Sequence, residues 1–202
     1  MAILLIRHGE TDLNASRVVQ FPDTPLGATG LAQAAKLGRR LAAHPLELVI
    51  CSDYLRARST AECVARAAGV ELEVSADWRE RHFGELRGRS YDTLGNLDIL
   101  ARDYDPPGGE TWSEFDARVD RAWQALLEQT AGLAGDVAVV THGLVLRSLL
   151  ERRLDTARYP DVSGLVVGNT SVTTVERDAP WRVRTLACVA HLDGDARAVA
   201  PV

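Results

Sequence analysis

Two histidines and two arginines stand where predicted strands end. Arg7 and His8 follow an apolar run at the N-terminus, and His142 ends a later run. Arg56 lies just inside the helix that follows another strand. Ligands of open parallel sheets bind beyond the carboxyl ends of the strands, so we expect these four side chains to meet at one rim. Guanidinium forks and imidazoles suit a tetrahedral oxyanion such as phosphate, which predicts phosphoryl-group chemistry.

His8 is the candidate nucleophile, with His142 as its electrostatic partner. Nearby arginines disfavour the imidazolium form, so they help to keep a nucleophilic imidazole neutral. The other ring nitrogen of His8 must donate to a fixed acceptor, and a backbone carbonyl near Gly9 is the candidate. We also expect the helix N-termini that follow Gly9 and Gly143 to donate backbone N–H groups to the anion.

Glu80 is the candidate general acid, because it lies just after a predicted strand and could reach the same rim. Neighbouring arginines would lower the pKa of its carboxyl, whereas burial and a bound phosphate dianion would raise it. An acid that protonates a leaving alkoxide needs the second pair of effects to win. From the residues alone, a surface ion pair is an equal alternative for Glu80.

Other kinds of catalytic site lack their motifs in this sequence. There is no GxSxG segment for a serine hydrolase. The segment 164–170 has glycines and a threonine, but it has neither the spacing nor the lysine of a P-loop. No two histidines have metal-ligand spacing within a helix. We therefore expect no metal and no cofactor.

Composition limits the classes of partner. The chain has 202 residues, is 46% hydrophobic and carries a net charge of −5 without a basic stripe, so nucleic acid is not expected. Its three cysteines form no CxxC pair, which favours a reducing compartment. The apolar run at the N-terminus is too short for a signal peptide or a membrane span, so we expect a cytoplasmic protein without a membrane partner.

Strand and helix signals alternate, which predicts a largely parallel sheet covered by helices on both faces. The predicted strands are 3–6, 46–51, 71–74, 137–140, 171–176 and 182–189. The predicted helices are one capped by Thr29, one over 55–68 closed by Gly69, one capped by Ser113 that reaches Thr130, and one over 144–154. The fold class is thus a three-layer α/β/α sandwich with an antiparallel edge hairpin.

The whole chain, 1–202, is predicted to form one domain. Residues 79–110 break the strand and helix pattern and are interpreted as an insertion or lid over the site. The exposed edge of the late hairpin would need protection or pairing, so a homodimer is possible.

Six segments resemble motifs of one family, the histidine phosphatase superfamily of phosphoglycerate-mutase-like proteins. They follow the family's order from residue 3 to about residue 175, and together they are far more specific than each alone. The segments are Leu5-Ile6-Arg7-His8-Gly9-Glu10-Thr11 with Asn14, Ser52-Asp53-Tyr54-Leu55-Arg56-Ala57, Arg79-Glu80-Arg81-His82-Phe83-Gly84-Glu85-Leu86-Arg87-Gly88, Gly108-Gly109-Glu110-Thr111, Val139-Val140-Thr141-His142-Gly143 with Arg147, and Asn169-Thr170-Ser171-Val172.

The resemblance implies that His8 becomes a phosphohistidine, while the other residues of the rim hold the phosphoryl group. Those residues are Arg7, Arg56 and His142. Glu80 would protonate the leaving oxygen and then activate the water that clears the intermediate. The candidate substrate-binding residues are Asn14, Gln20, Gly143 and His82. His82 could instead only pack within its loop.

Hydrolysis is favoured over mutase activity. Mutases that resemble this chain carry a longer insertion between the acid and the second histidine, whereas Glu80 and His142 are only 62 positions apart. We therefore expect a phosphomonoesterase that acts on a small phosphorylated metabolite. The alternatives are a phosphoglycerate-type mutase and a protein that binds phosphate esters without turnover.

The substrate is left open. Leu86 stands where many family members have tryptophan, and Phe21-Pro22 where many have a glycine. The arginines of the loop could recognise a second anionic group, but a solvated loop face is an equal alternative. These arginines are Arg79, Arg81, Arg87 and Arg89.

Overall fold

The architecture comes from a computed structural model, which describes residues 1–95, 97–159, 162 and 165–192. Its strands are β1 (Ala2–Arg7), β2 (Leu46–Cys51), β3 (Glu71–Val74), β4 (Asp136–Thr141), β5 (Val172–Glu176) and β6 (Val183–Cys188). Its helices are α1 (Asp12–Ala15), α2 (Ala28–Leu41), α3 (Leu55–Ala68), α4 (Trp112–Gln129) and α5 (Gly143–Arg152). Short 3₁₀ helices cover Ala76–Trp78, Gly84–Leu86, Tyr91–Leu94 and Ala190–Leu192.

One sheet of six strands, in the order β3-β2-β4-β1-β5-β6, forms the middle layer. The four strands from β3 to β1 are parallel, whereas β5 runs antiparallel to β1 and β6 antiparallel to β5. This confirms the predicted mostly parallel sheet with an antiparallel edge hairpin. The prediction of a homodimer through this hairpin stays a prediction.

Each face of the sheet is covered by a pair of helices, which makes the three predicted layers. Successive side chains of a strand point to opposite faces. Accordingly, Ile3 and Leu5 of β1 pack in the cluster that contains side chains of α4 and α5. Leu4 and Ile6 pack on the other face, in the cluster with side chains of α2 and α3. Because both faces are buried, β1 needs a continuous apolar run.

The register of the parallel strands brings their carboxyl ends to one rim. Arg7 of β1 is level with Thr141 of β4, and Cys51 of β2 is level with Val140 of β4. Residues that follow these three strands therefore start from neighbouring points, as expected.

Two helix starts differ from the prediction. The helix expected to be capped by Thr29 begins at Ala28, with Gly27 as its N-cap and no side-chain cap. The backbone fixes this start, because Gly27 N donates to Glu10 O at 3.0 Å. A Cβ on Gly27 would meet Asp12 Oδ1 at 2.5 Å, so a larger residue there would require the Asp12 side chain to shift.

The cap expected at Ser113 lies at Thr111. Thr111 Oγ1 accepts from the backbone N of Glu114 at 3.1 Å, and Glu114 Oε2 accepts from Thr111 N at 2.9 Å. This reciprocal capping box satisfies two N–H groups that a helix start leaves open. Ser113 lies inside the first turn of α4 instead.

The segment 79–110 contributes two of the short 3₁₀ helices and lies beside the carboxyl rim. The assignment of one domain with this segment as a lid stays a prediction. Over the ranges that are described, no helix is both long and apolar enough to cross a membrane.

Candidate active site

His8 lies buried at the end of β1, held by its backbone on both sides. Its N donates to Thr141 O at 2.9 Å, and its carbonyl accepts from Asn169 Nδ2 at 3.0 Å. Nδ1 of the ring lies 2.7 Å from Gly9 O, so this nitrogen carries the hydrogen and donates. The expected backbone partner near Gly9 is confirmed. Nε2 is then the nitrogen with the free lone pair.

One buried guanidinium group donates to that lone pair, and a second lies in the same site. Arg56 donates from Nε to His8 Nε2 at 3.2 Å and from a terminal nitrogen to Phe21 O at 2.9 Å. Arg7 donates to Val167 O at 2.5 Å. Thr60 joins the two segments, because its hydroxyl accepts from Gly9 N and donates to Arg56 O. Burial lowers the pKa of Arg56 to about 10, so it stays charged at neutral pH.

His142 lies between His8 and the side chains that follow β2. Its ring centroid is 5.2 Å from that of His8 and 5.3 Å from that of Tyr54. Nε2 of His142 lies 2.9 Å from Ser52 Oγ. Nδ1 is buried and has no hydrogen-bond partner within the described part of the chain. An unsatisfied buried nitrogen costs roughly 1–3 kcal/mol, which a bound ligand could recover.

Both imidazoles are held neutral by their surroundings. Burial is the largest cause that lowers the pKa of His8, and the charges of Arg56 and Arg7 lower it further. Burial and Arg56 likewise lower the pKa of His142. The arginines therefore act in the expected direction, although burial has the larger effect.

Glu80 faces the same site from the segment after β3. Its Oε1 accepts from Arg81 N at 2.9 Å and its Oε2 from Leu144 N, at the start of α5, at 3.1 Å. Glu80 is partly buried and lines the cleft. Burial raises the pKa of Glu80, against the lowering effect of these two N–H donors and of the arginines. The net effect is a raised pKa, which favours the protonated acid.

These groups, apart from His142, line a small cleft that opens to the surface and has a cavity volume of about 50 Å³. The residues of its wall are Arg7, His8, Leu13, Asn14, Arg17, Val18, Val19, Gln20, Tyr54, Arg56, Glu80, Arg81, Phe83, Arg87, Tyr91 and Gly143. His142 lies behind this wall and is fully buried.

Asn14 and Gln20 lie on one side of the cleft, tied to the cap of α1. Asn14 Oδ1 accepts from Thr11 N at 3.3 Å and from Asn169 Nδ2 at 3.5 Å. Its amide nitrogen is therefore the end that can donate to an anion. Gln20 Oε1 accepts from the Thr11 hydroxyl at 2.8 Å, which holds its side chain in place.

The expected substrate contacts of His82 and of the helix N-termini stay predictions. His82 lies in the wall of a neighbouring cavity, which shares Tyr54 and Glu80 with the cleft, and its Nδ1 accepts from Gly84 N at 3.1 Å. The helix N-termini are also partly occupied. Gly9 N donates to Thr60, and the N–H that follows Gly143 donates to Glu80. Gly143 itself lines the cleft.

Ser52, Tyr54 and Asn169 also contact the site, although they are not among the site residues predicted from the sequence. Ser52 and Tyr54 directly follow β2, and that position was the available signal. Asn169 precedes β5, an antiparallel strand, so the rule for parallel strand ends does not reach it.

Arg118 of α4 holds the segment that carries Glu80. Its guanidinium makes two hydrogen bonds to the carboxylate of Glu110, at 2.8 and 2.7 Å. The same guanidinium donates to the carbonyls of Asp77 at 2.9 Å and Arg79 at 2.8 Å. Glu110 in turn accepts from His82 N at 2.9 Å. The backbone on both sides of Glu80 is thus fixed to α4.

The described residues bring together no group of three or more His, Cys, Asp or Glu side chains that could hold a metal ion. The site instead combines two imidazoles, two buried guanidinium groups and one carboxyl of raised pKa. Such a set can bind a phosphoryl group, attack it and supply a proton.

Comparison with known proteins shows which proteins this chain resembles. The chain is 33% identical to probable phosphoglycerate mutase GpmB of Citrobacter koseri, over 97% of each chain. It is also similar to two solved structures at 26% identity. The mycobacterial glucosyl-3-phosphoglycerate phosphatase in complex with VO3 has a TM-score of 0.75, over 92% of this chain and 98% of that one. The alpha-ribazole phosphatase of Shigella flexneri has a TM-score of 0.78, over 94% and 98%.

The family model of the histidine phosphatase superfamily (branch 1) matches residues 3–188. That range includes every residue of the site described above. Relatives named as phosphatases and relatives named as phosphoglycerate mutases share its fold. The chain belongs to the histidine phosphatase superfamily.

Proposed function

We propose that this chain is a metal-independent phosphomonoesterase that hydrolyses a small phosphorylated metabolite through a phosphohistidine on His8. The observation that carries the proposal is the orientation of the His8 ring. Its Nδ1 donates to Gly9 O, so Nε2 presents its lone pair beside the buried guanidinium of Arg56. A neutral imidazole in that position is a nucleophile next to the groups that would hold its target.

In the first step, Nε2 of His8 attacks the phosphorus of the ester. The N–P bond forms as the bond to the alcohol oxygen breaks, and Glu80 gives its proton to the departing oxygen. Charge on the transferred phosphoryl oxygens is met by the guanidinium groups of Arg7 and Arg56 and by His142. The Gly9 carbonyl stabilises the positive charge that develops on the His8 ring.

In the second step, the carboxylate of Glu80 takes a proton from a water molecule. The water oxygen attacks phosphorus, and the electron pair of the N–P bond returns to Nε2. Phosphate leaves and Glu80 is again an acid. The raised pKa of Glu80 suits this alternation, because it brings the pKa closer to the working pH.

The test is to trap the intermediate and to measure phosphate release. Wild-type protein mixed with labelled 4-nitrophenyl phosphate and quenched in base should retain label on His8, and the label should be lost in acid. His8→Ala should release no phosphate. His44→Gln, a change at an exposed histidine that pairs with Asp136, is the matched control. Near-normal hydrolysis by His8→Ala, or full loss of wild-type activity in a chelator, would refute the proposal.

A phosphoglycerate-type mutase is the second candidate, favoured by the name of the relative at 33% identity. The short spacing between Glu80 and His142 supports water as the acceptor instead. A bisphosphate primer that makes isomerisation of phosphoglycerate faster than phosphate release would decide for the mutase. Tight binding of phosphate esters without either reaction would indicate a binding protein.

A further inference from the structure

The mouth of the cleft carries more positive charge than one phosphoryl group needs. Five arginines line the cleft against one carboxyl, that of Glu80, although the whole chain has a net charge of −5. Arg7 and Arg56 lie at His8. Arg17 and Arg87 lie on the same wall and take no part in the mechanism above.

Arg87 is the one arginine of the 79–89 run whose charge faces the cleft without an acidic partner. It is half-buried and donates to the hydroxyl of Tyr54 at 2.9 Å. Within the described residues, no carboxylate lies at ion-pair distance from it. A phenol hydroxyl leaves the guanidinium charge uncompensated, so the other N–H groups of Arg87 remain suited to an anion.

The other arginines of that run are engaged elsewhere. Arg79 forms a two-bond ion pair with Asp53. Arg81 is buried and donates to the carbonyls of Tyr104 at 2.7 Å and Glu110 at 3.0 Å. Arg89 is exposed and is not part of the cleft wall.

Arg17 faces the same mouth from the segment after α1. Its ion pair with Asp92 spans 3.4 Å between two exposed side chains, and such pairs contribute little. The backbone of Arg17 has a φ of 53°, a left-handed conformation that costs free energy in a residue other than glycine. Tyr91 N donates to Arg17 O at 2.9 Å, and Gly88 N donates to Val19 O at 2.7 Å. These bonds fix the segment of Arg17 against the segment of Arg87.

We propose that Arg87, assisted by Arg17, forms a subsite for a second anionic group, so the substrate is a phosphate monoester whose alcohol carries a carboxylate or another phosphate. The inference rests on the proposed function, because the phosphoryl group must occupy the pocket at His8 for the alcohol to reach the mouth. Tyr54 links the two places, since its hydroxyl holds Arg87 and its ring lies 5.3 Å from that of His142.

The test compares pairs of ligands that differ only in the second anion. Calorimetry on His8→Ala protein, which cannot turn over, gives the dissociation constants of 3-phosphoglycerate and glycerol 3-phosphate. Fructose 1,6-bisphosphate and fructose 6-phosphate form the second pair. The member with the extra anion should bind about tenfold more tightly in at least one pair, as expected for a charge-assisted hydrogen bond. The pair that shows it identifies the anion as carboxylate or phosphate.

Arg87→Met should remove most of that preference. Arg89→Met, which deletes the same charge from the same loop outside the cleft, should keep it. Equal affinities within both pairs, or a preference that survives Arg87→Met, would overturn the subsite. Replacing the buried His8 with alanine changes the packing of the site. The same ligands are therefore also compared in the protein with His8 intact, as competitive inhibitors of 4-nitrophenyl phosphate hydrolysis.

The two proposals fail separately. Phosphate release without discrimination within the pairs would leave the hydrolase and remove the subsite. Discrimination in binding by a protein that releases no phosphate would leave the subsite and remove the hydrolase.

Discussion

Nε of Arg56 donates a hydrogen bond to Nε2 of His8 across 3.2 Å. The lone pair that accepts this bond is the one that a nucleophile must use. The guanidinium therefore has to turn toward the phosphoryl oxygens before the N–P bond can form. A phosphate bound in the cleft favours this reorientation, because a guanidinium binds a doubly charged oxyanion more strongly than it binds a neutral imidazole.

Arg56→Lys should lower kcat/KM by about 100-fold or more, since lysine keeps the charge but loses the planar fork that can serve both His8 and the phosphoryl oxygens. Steady-state hydrolysis of 4-nitrophenyl phosphate measures the effect. Arg58→Lys is the matched control, because Arg58 is exposed on the same helix and pairs only with Glu62 among the described residues. Similar losses in both variants would contradict a special role for Arg56.

The loss of rate caused by Glu80→Gln should depend on the leaving group of the ester. For an alkyl phosphate, loss of the proton donor should lower kcat by roughly 100- to 10,000-fold. For 4-nitrophenyl phosphate the loss should be much smaller in the first step, because 4-nitrophenolate leaves without protonation. Single-turnover rates on the two esters isolate that step. Glu85→Gln, a change at an exposed carboxylate of the same segment, should alter neither rate.

Activity on an alkyl phosphate should decrease as the pH rises through the pKa of Glu80. Burial raises that pKa, so the protonated acid persists above the ordinary range of a glutamate and is lost as the pH rises through the raised value. The pH profile of kcat/KM for the protein with and without Glu80→Gln measures this. If the alkaline limb is unchanged in Glu80→Gln, another group is the acid.

Stability should decrease as the pH falls below about 6.5, the ordinary pKa of histidine. His8 and His142 have lowered pKa values in the folded protein, so the unfolded chain binds more protons between the ordinary and the folded values. The free energy of unfolding therefore drops in that window as the pH falls. Urea unfolding at several pH values should show this slope, and His142→Gln should reduce it. A slope that His142→Gln leaves intact would assign the effect to other groups.

Arg118→Gln should weaken both stability and the action of Glu80. It breaks a two-bond ion pair with Glu110 and leaves the carbonyls of Asp77 and Arg79 without their donor, at an expected cost of about 2–4 kcal/mol. Because Arg118 acts by positioning Glu80, the loss of kcat should be larger for an alkyl phosphate than for 4-nitrophenyl phosphate. Arg121→Gln, at an exposed arginine of the same helix and on the wall of the neighbouring cavity, is the control. Equal losses on both esters would indicate a structural role alone.

Strand positions could be predicted from the sequence because each depends on a local apolar run. The runs that became β1, β2 and β4 are buried on both faces, and their carboxyl ends bring Arg7, His8 and Arg56 to one rim. The helix starts depend on capping contacts in addition to such runs. Thr111 and Ser113 are both good N-caps, and only the completed capping box with Glu114 decides between them.

The amino-acid sequence by itself determined the sheet, the strand ends and the kinds of group at the rim, since these follow from periodicity and from residue type. Only the tertiary structure decided which groups touch. Ser52 and His142 are 90 positions apart and meet through Nε2 and Oγ. The tertiary structure also decided the direction in which the pKa of Glu80 shifts, because that depends on its burial. It decided as well that Arg87 faces the cleft, because the pairing of arginines with acids depends on contacts between distant segments.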